Sequence, residues 1–456
     1  MKKPIVYVVH CIDTEGPLYQ STQAICELLQ STFKIKVSSQ DEILALQKGD
    51  FSHLAGGGGA TLDSKAKEAI QTFLDPHLLH SHGSWEQIDV MLESITAPAF
   101  RNVLLDSFGG GWIYNWFCMD HTGFDGYNPR RRDAGYHNIF DHYAGLKSVT
   151  DYDHLSFHYH PLPFIADYHA SGTRFWGSNI TEILSRRLID RHFFPSTFRP
   201  GFHTERPDSH FFLEQWIPFD YANQSTKGLD TNQPDCGDGR FGDWRRATTE
   251  WEVYHPSHDD YQVKGSCRRY IARCLNMYAR LRCITQDDVN DAFQRALKTN
   301  DDVILAFDCH DYRDMSFEVN LLRDMIKNAS LAYPQVHFKY EKADVAMRAV
   351  LKLDKKPLNL RLEYDFSHNK LHIQTDSNIF GPQPFLAIKT TQGQYFHDNF
   401  DFYQPYHWTY TFDRNTIPPQ AIEKIGVASN TNAGVTELIV WDKATNTQSK
   451  TTLNNA

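Results

Sequence analysis

Apolar runs alternate with segments of helical periodicity along the first three quarters of the chain. Residues 5–9 are uniformly apolar, as in a strand buried on both faces, and residues 302–308 are predicted to form another strand. Between them, apolar residues recur at helical spacing in 179–193 and 285–297, and we also predict a helix for 266–283. Strands that alternate with helices are typical of a parallel sheet or an α/β barrel.

The pattern changes after Leu353. Short segments separated by turn residues follow at the intervals of a β-sandwich. The predicted strands are Leu360 to Tyr364, Lys370 to Thr375, Phe385 to Thr390, Trp408 to Phe412, Lys424 to Ala428 and Thr436 to Trp441. We place the boundary near Lys355, so that residues 1–355 form an α/β domain and residues 356–456 a smaller all-β sandwich domain. The polar tail from Asn446 is predicted to fray.

Chain length, net charge and cysteine pattern limit the number of domains, the kind of partner and the cellular compartment that we expect. A chain of 456 residues is too long for one ordinary core, so two domains are expected. The formal net charge of −10 argues against a nucleic-acid partner. The sequence has no run of about twenty apolar residues, so no membrane span is expected. The N-terminus lacks the pattern of a signal peptide and the cysteines include no CxxC pair, which predicts a cytoplasmic protein with reduced thiols.

Two pairs of polar residues have the spacing that brings side chains together on one face of a strand. Asp13 and Glu15 follow the first apolar run, and His158 and His160 have the same two-residue spacing. Two neutral imidazoles with one or two carboxylates are the ligand set of a catalytic zinc site that keeps a position open for water. The sequence therefore predicts a metal-dependent hydrolase.

Residues 103–143 are rich in Gly, Trp, Tyr and Asn, and we predict a cleft-lining loop there. Three candidates lie in this stretch: Trp116 as a substrate contact, and Asp120 and His121 as substrate or metal contacts. Asp220, in a later predicted strand, is a further candidate.

The stretch 395–408 is dense in aromatic residues. Alternation in Phe400-Asp401-Phe402 predicts that both phenylalanine rings lie on one face. We expect these rings to fill the sandwich core and to pack against the barrel. A sugar-binding platform and an oligomer interface are the alternatives, because exposed aromatic patches mark contacts.

The order of four motifs resembles the polysaccharide deacetylase (NodB-like) family, carbohydrate esterase family 4. The motifs are Asp13-Thr14-Glu15, His158-Tyr159-His160-Pro161, Arg199-Pro200-Gly201, and the late run that ends at His310. The resemblance spans about residues 4–350 and implies a distorted, partly open (β/α) barrel. Relative to small members of the family, about residues 45–145 are a long insertion. The resemblance does not extend to residues 356–456.

The resemblance also implies residue roles. Glu15, His158 and His160 would hold a divalent metal, for which zinc is the first expectation. Asp13 would be the general base, Arg199 would orient it, and His310 would be the general acid. Asp311 or Asp220 would orient His310. The common family motif spaces its histidines four apart, so His154 is an alternative ligand to His158 or His160.

The implied reaction is removal of the acetyl group from an N-acetylated sugar, in the synthesis or modification of a polysaccharide. A carbohydrate is therefore the expected partner. Two alternatives are a hydrolase of another small amide on the same fold, and a glycan-binding or scaffold protein with an inactive site.

Overall fold

The computed structural model describes residues 3–54, 62–120, 137–161, 174–227, 242–279 and 282–453. The candidate residue His121 lies outside these ranges. Within them, the cysteines are free thiols, and no helix is both long and apolar enough to cross a membrane.

Seven parallel strands form a closed barrel, so the expected α/β barrel is confirmed, but it is not partly open. The strands pair in chain order and the ring closes where the first strand pairs with the second and the seventh. They are β1 (Ile5–Thr14), β2 (Tyr114–Met119), β3 (His154–Tyr159), β4 (Thr197–Pro200), β5 (Phe219–Asn223), β6 (Tyr270–Asn276) and β7 (Val303–His310).

The long strand β1 closes the barrel. One of its edges pairs with β7 along most of its length. The other edge pairs first with an eighth strand, β8 (His337–Tyr340), and then with β2. All ten residues of β1 are buried, which explains its continuous apolar run.

Helices cover the barrel and occupy much of the predicted insertion of about residues 45–145, which also contains the barrel strand β2. Their bounds are Thr22–Phe33, Gln40–Gln47, Ser64–Phe73, Pro76–Leu79, Trp85–Thr96, Pro98–Arg101, Asn138–Ala144, Lys147–Thr150, Ser178–Arg191, Pro207–Trp216, Gln286–Thr299, Met315–Ala332 and Ala343–Leu351. Thr285 and Asp288 close a capping box at the start of Gln286–Thr299. The helices Thr22–Phe33, Gln40–Gln47 and Ser64–Phe73 share a small apolar core of their own.

Two further predictions for the barrel were wrong. Within the predicted helix 266–283, the structure has strand β6 (Tyr270–Asn276). Arg273 within the strand and Arg269 just before it interrupt the apolar pattern and are buried against carboxylates. Residues 103–143 are not only loop, since they contain the buried strand β2 and the aromatic side chains of Trp112 and Tyr114 belong to the core.

The second part of the chain is a β-sandwich, as predicted. A four-stranded sheet has the order β13-β14-β10-β9, and a five-stranded sheet the order β12-β11-β15-β16-β17. The strands are β9 (Arg361–Asp365), β10 (Lys370–Gln374), β11 (Phe385–Thr390), β12 (Tyr395–Asp398), β13 (Asp401–Gln404), β14 (His407–Thr411), β15 (Ile422–Asn430), β16 (Thr436–Asp442) and β17 (Thr447–Leu453).

Two predictions for the sandwich failed locally. The tail does not fray at Asn446, because β17 pairs with β16 through Leu453. Phe400 is buried in the core, but Phe402 is 67% exposed, because the regular strand begins only at Asp401.

The five-stranded sheet packs directly on the barrel. One apolar cluster joins helix Ser178–Arg191 and Trp216 of the barrel to Phe385 and other residues of the sheet. Gly434 lies so close to Phe219 of β5 that a Cβ there would come within 2.4 Å of the ring. This sheet therefore packs on the barrel, and the two parts share a core. The expectation for the aromatic stretch 395–408 is confirmed only in part: Tyr395 and His397 take part in this contact, whereas Phe396, Phe402, Tyr403 and Tyr406 are exposed.

A fragment that ends at residue 355 should aggregate or lose stability, because it would expose the barrel half of this shared core. Solubility, solution mass and melting temperature of the fragment test this. A soluble, monomeric fragment that melts at the temperature of the full chain would contradict it.

The shared core also contains a titratable group, His397. Its ring stacks on Phe385 at 4.3 Å and meets Trp216 edge-on, while Nδ1 donates to the carbonyl of Leu386 at 2.8 Å. Burial lowers the pKa of His397 to about 4. The folded state therefore disfavours the charged form of His397. The contribution of His397 to folding stability is fully present above pH 6.5 and is lost as the pH falls from 6.5 toward 4, because the imidazole then gains a proton in the unfolded chain and not in the folded one.

Replacing His397 by Phe should reduce the loss of unfolding free energy between pH 7.5 and pH 5 by about 2 kcal/mol. The phenylalanine ring keeps the stacking and carries no titratable group. Denaturant unfolding at both pH values measures this, with His258→Gln, at an exposed position, as the matched control. An unchanged pH dependence in His397→Phe would show that this histidine is not the source.

Candidate metal centre

The carboxyl ends of four barrel strands bring the predicted site residues to one mouth, as is usual for parallel barrels. These residues are Asp13 and Glu15 at the end of β1, His158 and His160 at the end of β3, Arg199 in β4 and His310 at the end of β7. The register places Asp13 of β1 directly opposite His310 of β7.

Three of these side chains point their ligand atoms at one another. The Nε2 atoms of His158 and His160 are 3.0 Å apart. Oε1 of Glu15 lies 3.3 Å from Nε2 of His160 and 3.7 Å from Nε2 of His158. Two bonds of about 2.0–2.1 Å at a tetrahedral angle separate zinc ligands by roughly 3.3 Å, so the spacing fits such an ion.

The tautomer of His158 supports the same conclusion. Nδ1 lies 2.9 Å from the carbonyl oxygen of Arg199, which can only accept a hydrogen bond. Nδ1 therefore carries the proton, and Nε2 presents a lone pair to Glu15 and His160. Burial lowers the pKa of His158, which favours the neutral form that binds metal.

The turn after β4 fixes the second histidine. A Cβ on Gly201 would lie 2.4 Å from the ring of His160, so only glycine fits against that ring. The ring of Phe202 meets His160 edge-on at 5.3 Å. Phe202 and His203 both have positive φ, an uncommon and strained conformation for non-glycine residues that occurs at functional sites.

His154 is not part of this group. It lies at the start of β3, roughly 13 Å from His158 at the usual rise of a strand. Its Nε2 is 3.7 Å from Asp344. The choice between histidines that the sequence leaves open is thus decided in favour of the pair His158 and His160.

Asp13 is held by Arg199. The guanidinium contacts both carboxylate oxygens, with Nε at 2.6 Å and Nη2 at 3.1 Å, and donates through Nη1 to the carbonyl of Tyr221. Burial alone would raise the pKa of Asp13, but the charge of Arg199 outweighs it and holds that pKa well below its usual range. Asp13 is therefore an ionised carboxylate next to the ligand group.

The sequence reasoning missed Asp308 and His203. Nη2 of Arg199 is 3.2 Å from Oδ2 of Asp308, and Nε2 of His203 is 3.9 Å from the same oxygen. Burial raises the pKa of Asp308 to about 6. The sequence feature that could have revealed Asp308 is its carboxylate, which interrupts the apolar run of β7.

Asp13, His203 and Asp308 form a second group with the spacing of metal ligands. The guanidinium of Arg199 already lies against both carboxylates of this group. Its positive charge disfavours a second cation there, so Glu15, His158 and His160 remain the better metal site.

His310 lies on the other side of Glu15, with Nε2 3.7 Å from Oε1. Arg313 is the neighbour of its Nδ1, at 3.3 Å. Of the two predicted orienting groups, Asp311 accepts from the backbone N–H of Glu15 at 2.8 Å, and its role in orienting His310 stays a prediction. Asp220 is fully buried in a cluster with Arg269, so its predicted orienting and substrate roles are wrong.

Two predicted substrate contacts also lie in the interior. Trp116 is fully buried and donates from its indole N–H to Asp153 at 3.1 Å. Asp120 is buried against Arg187, whose Nε is 2.6 Å away. These residues support the barrel wall and do not face a substrate.

The assignment of the metal site rests on the geometry of the residues, because comparison with known proteins finds no relative. No protein-family model, curated protein or solved structure matches the chain.

The purified protein should carry about one divalent ion per chain, and His158→Ala or His160→Ala should remove it, because each deletes one of three ligands. His154→Gln on the same strand is the matched control and should keep the ion. Metal analysis of the three variants checks this. Full occupancy in the double variant His158→Ala/His160→Ala would contradict the assignment.

Gly201→Ala should weaken metal binding about 10- to 100-fold, the range seen when groups that orient a ligand are changed. The added methyl must displace the ring of His160. Gly83→Ala is the control, since its Cβ would meet only ordinary contacts at 3.6 Å or more. Competition with a chelator measures both; equal affinities in the two variants would show that Gly201 does not position His160.

Proposed function

We propose that this chain is a metal-dependent hydrolase of C–N bonds that deacetylates an N-acetylated sugar in the synthesis or modification of a polysaccharide. The observation that carries the proposal is the group of Glu15, His158 and His160 beside an ionised Asp13 at the mouth of a barrel. The order of the four motifs, with their resemblance to NodB-like deacetylases, supports the sugar as substrate.

Some of the site residues would bind the metal ion, and another would accept a proton. Glu15, His158 and His160 would hold the ion, which when bound lowers the pKa of a water and polarises the amide carbonyl. Asp13 would accept the proton of the attacking water, and Arg199 keeps Asp13 ionised and fixes its orientation. The burial of Asp13 keeps bulk water away from this transfer.

His310 would donate the proton to the leaving amine. Its Nε2 lies across Glu15 from the histidine pair, and its side chain remains partly exposed at the mouth. Histidine suits the role because its ordinary pKa is near neutrality.

The geometry also bears on the alternatives. A scaffold with an inactive site has no need for a complete ligand group next to a base held by two guanidinium contacts, so the structure favours chemistry over binding alone. A hydrolase of another small amide would use the same groups, and the substrate assay separates it from a sugar deacetylase.

Acetate release from N-acetylated hexosamine oligomers and from simple acetamides tests the proposal. The wild-type protein should act on the sugar substrates, and Asp13→Asn should keep the metal but lose about 10²- to 10⁴-fold in turnover, because the general base is removed. Activity on simple amides alone would favour the alternative hydrolase. Wild-type turnover in Asp13→Asn would contradict the assigned base.

A further inference from the structure

The turn that carries Glu15 is tightly confined. Gly16 has a φ of +67°, in the left-handed region that favours glycine. A Cβ at this position would lie 3.0 Å from the ring of Trp85 and 3.1 Å from Ile139. The chain after β1 is therefore pressed against two residues of the insertion directly next to the metal ligand.

The carboxylate of Asp311 binds this turn from the other side. Oδ1 accepts from the backbone N–H of Glu15 at 2.8 Å, and Oδ2 accepts from the N–H of Gly16 at 2.9 Å. The hydroxyl of Tyr143 donates to the same Oδ2 at 2.8 Å. Asp311 and Tyr143 are both fully buried, so water does not compete for these bonds.

We infer that Asp311, supported by Tyr143, is a positioning residue for the metal ligand Glu15. Both N–H groups of the turn are bound to one carboxylate, which fixes the backbone on either side of the Glu15 side chain. Bonds from N–H donors to an ionised carboxylate are among the stronger hydrogen bonds of proteins. The inference depends on the ligand role of Glu15 in the proposed function.

Asp311 is not part of the group of closely spaced ligand atoms formed by Glu15, His158 and His160. Both of its oxygens already accept hydrogen bonds from backbone or Tyr143 donors. The insertion gains a role as well, because Trp85, Ile139 and Tyr143 all belong to it. It supports the ligand turn of the metal centre.

The test is the affinity of purified protein for Zn²⁺, measured by chelator competition in Asp311→Asn and Tyr143→Phe. Asn has the shape of Asp, but its amide group would place a donor against a backbone donor. We expect about 10- to 100-fold weaker binding in Asp311→Asn. Tyr143→Phe removes only one of the three bonds and keeps the ring in its place, so its affinity should fall by a smaller factor.

Asp153→Asn is the matched control. Asp153 is likewise a buried carboxylate, bonded to Arg101 and to the backbone of Tyr114, but none of these residues belongs to the ligand turn. This variant should lower the melting temperature of the metal-free protein and leave the Zn²⁺ affinity unchanged. A general loss of stability is thereby separated from a loss of ligand positioning.

An unchanged Zn²⁺ affinity in Asp311→Asn would overturn the inference, as would an equal loss in Asp153→Asn. Zinc binding by the wild type without acetate release from any amide would defeat the proposed function alone. Absence of zinc binding by the wild type would overturn both.

Discussion

Closure of the barrel at β1 is the constraint on which the site depends. β1 pairs with β7 on one edge and with β2 on the other, so its end is fixed between two neighbours. This places Asp13 opposite His310 and sends Glu15 into the mouth, where the histidines of β3 arrive from two strands away. No single segment of the chain contains the site, and a shift of one residue in the register of β1 would turn both carboxylates away from it.

The cost of the site lies in its buried charges. Arg199, Asp13 and Asp308 are removed from water, and desolvation costs several kcal/mol for each ion before their mutual attraction is counted. Such a cluster is weak evidence for stability. It is stronger evidence for function, because clusters of buried charges are concentrated at active sites, and a general base must be ionised before it can accept a proton.

The ligand candidates were predictable because side chains two residues apart share a face of a strand whatever the rest of the fold. Asp308 and His203 were not predictable, since Asp308 gains its importance from Arg199 on another strand, and His203 from its contact with Asp308. β6 was mistaken for a helix because Arg273 within it and Arg269 just before it have buried partners elsewhere in the chain. β17 was missed because it pairs through its backbone while most of its side chains stay exposed.

The proposed chemistry depends on one metal ion between Glu15, His158 and His160. Anomalous X-ray diffraction at the zinc edge, from crystals of the zinc-loaded protein, tests it most directly. We expect a single strong peak about 2.0–2.2 Å from Nε2 of both histidines and from a carboxylate oxygen of Glu15. A peak between Asp13, His203 and Asp308, or no peak at the barrel mouth, would contradict it.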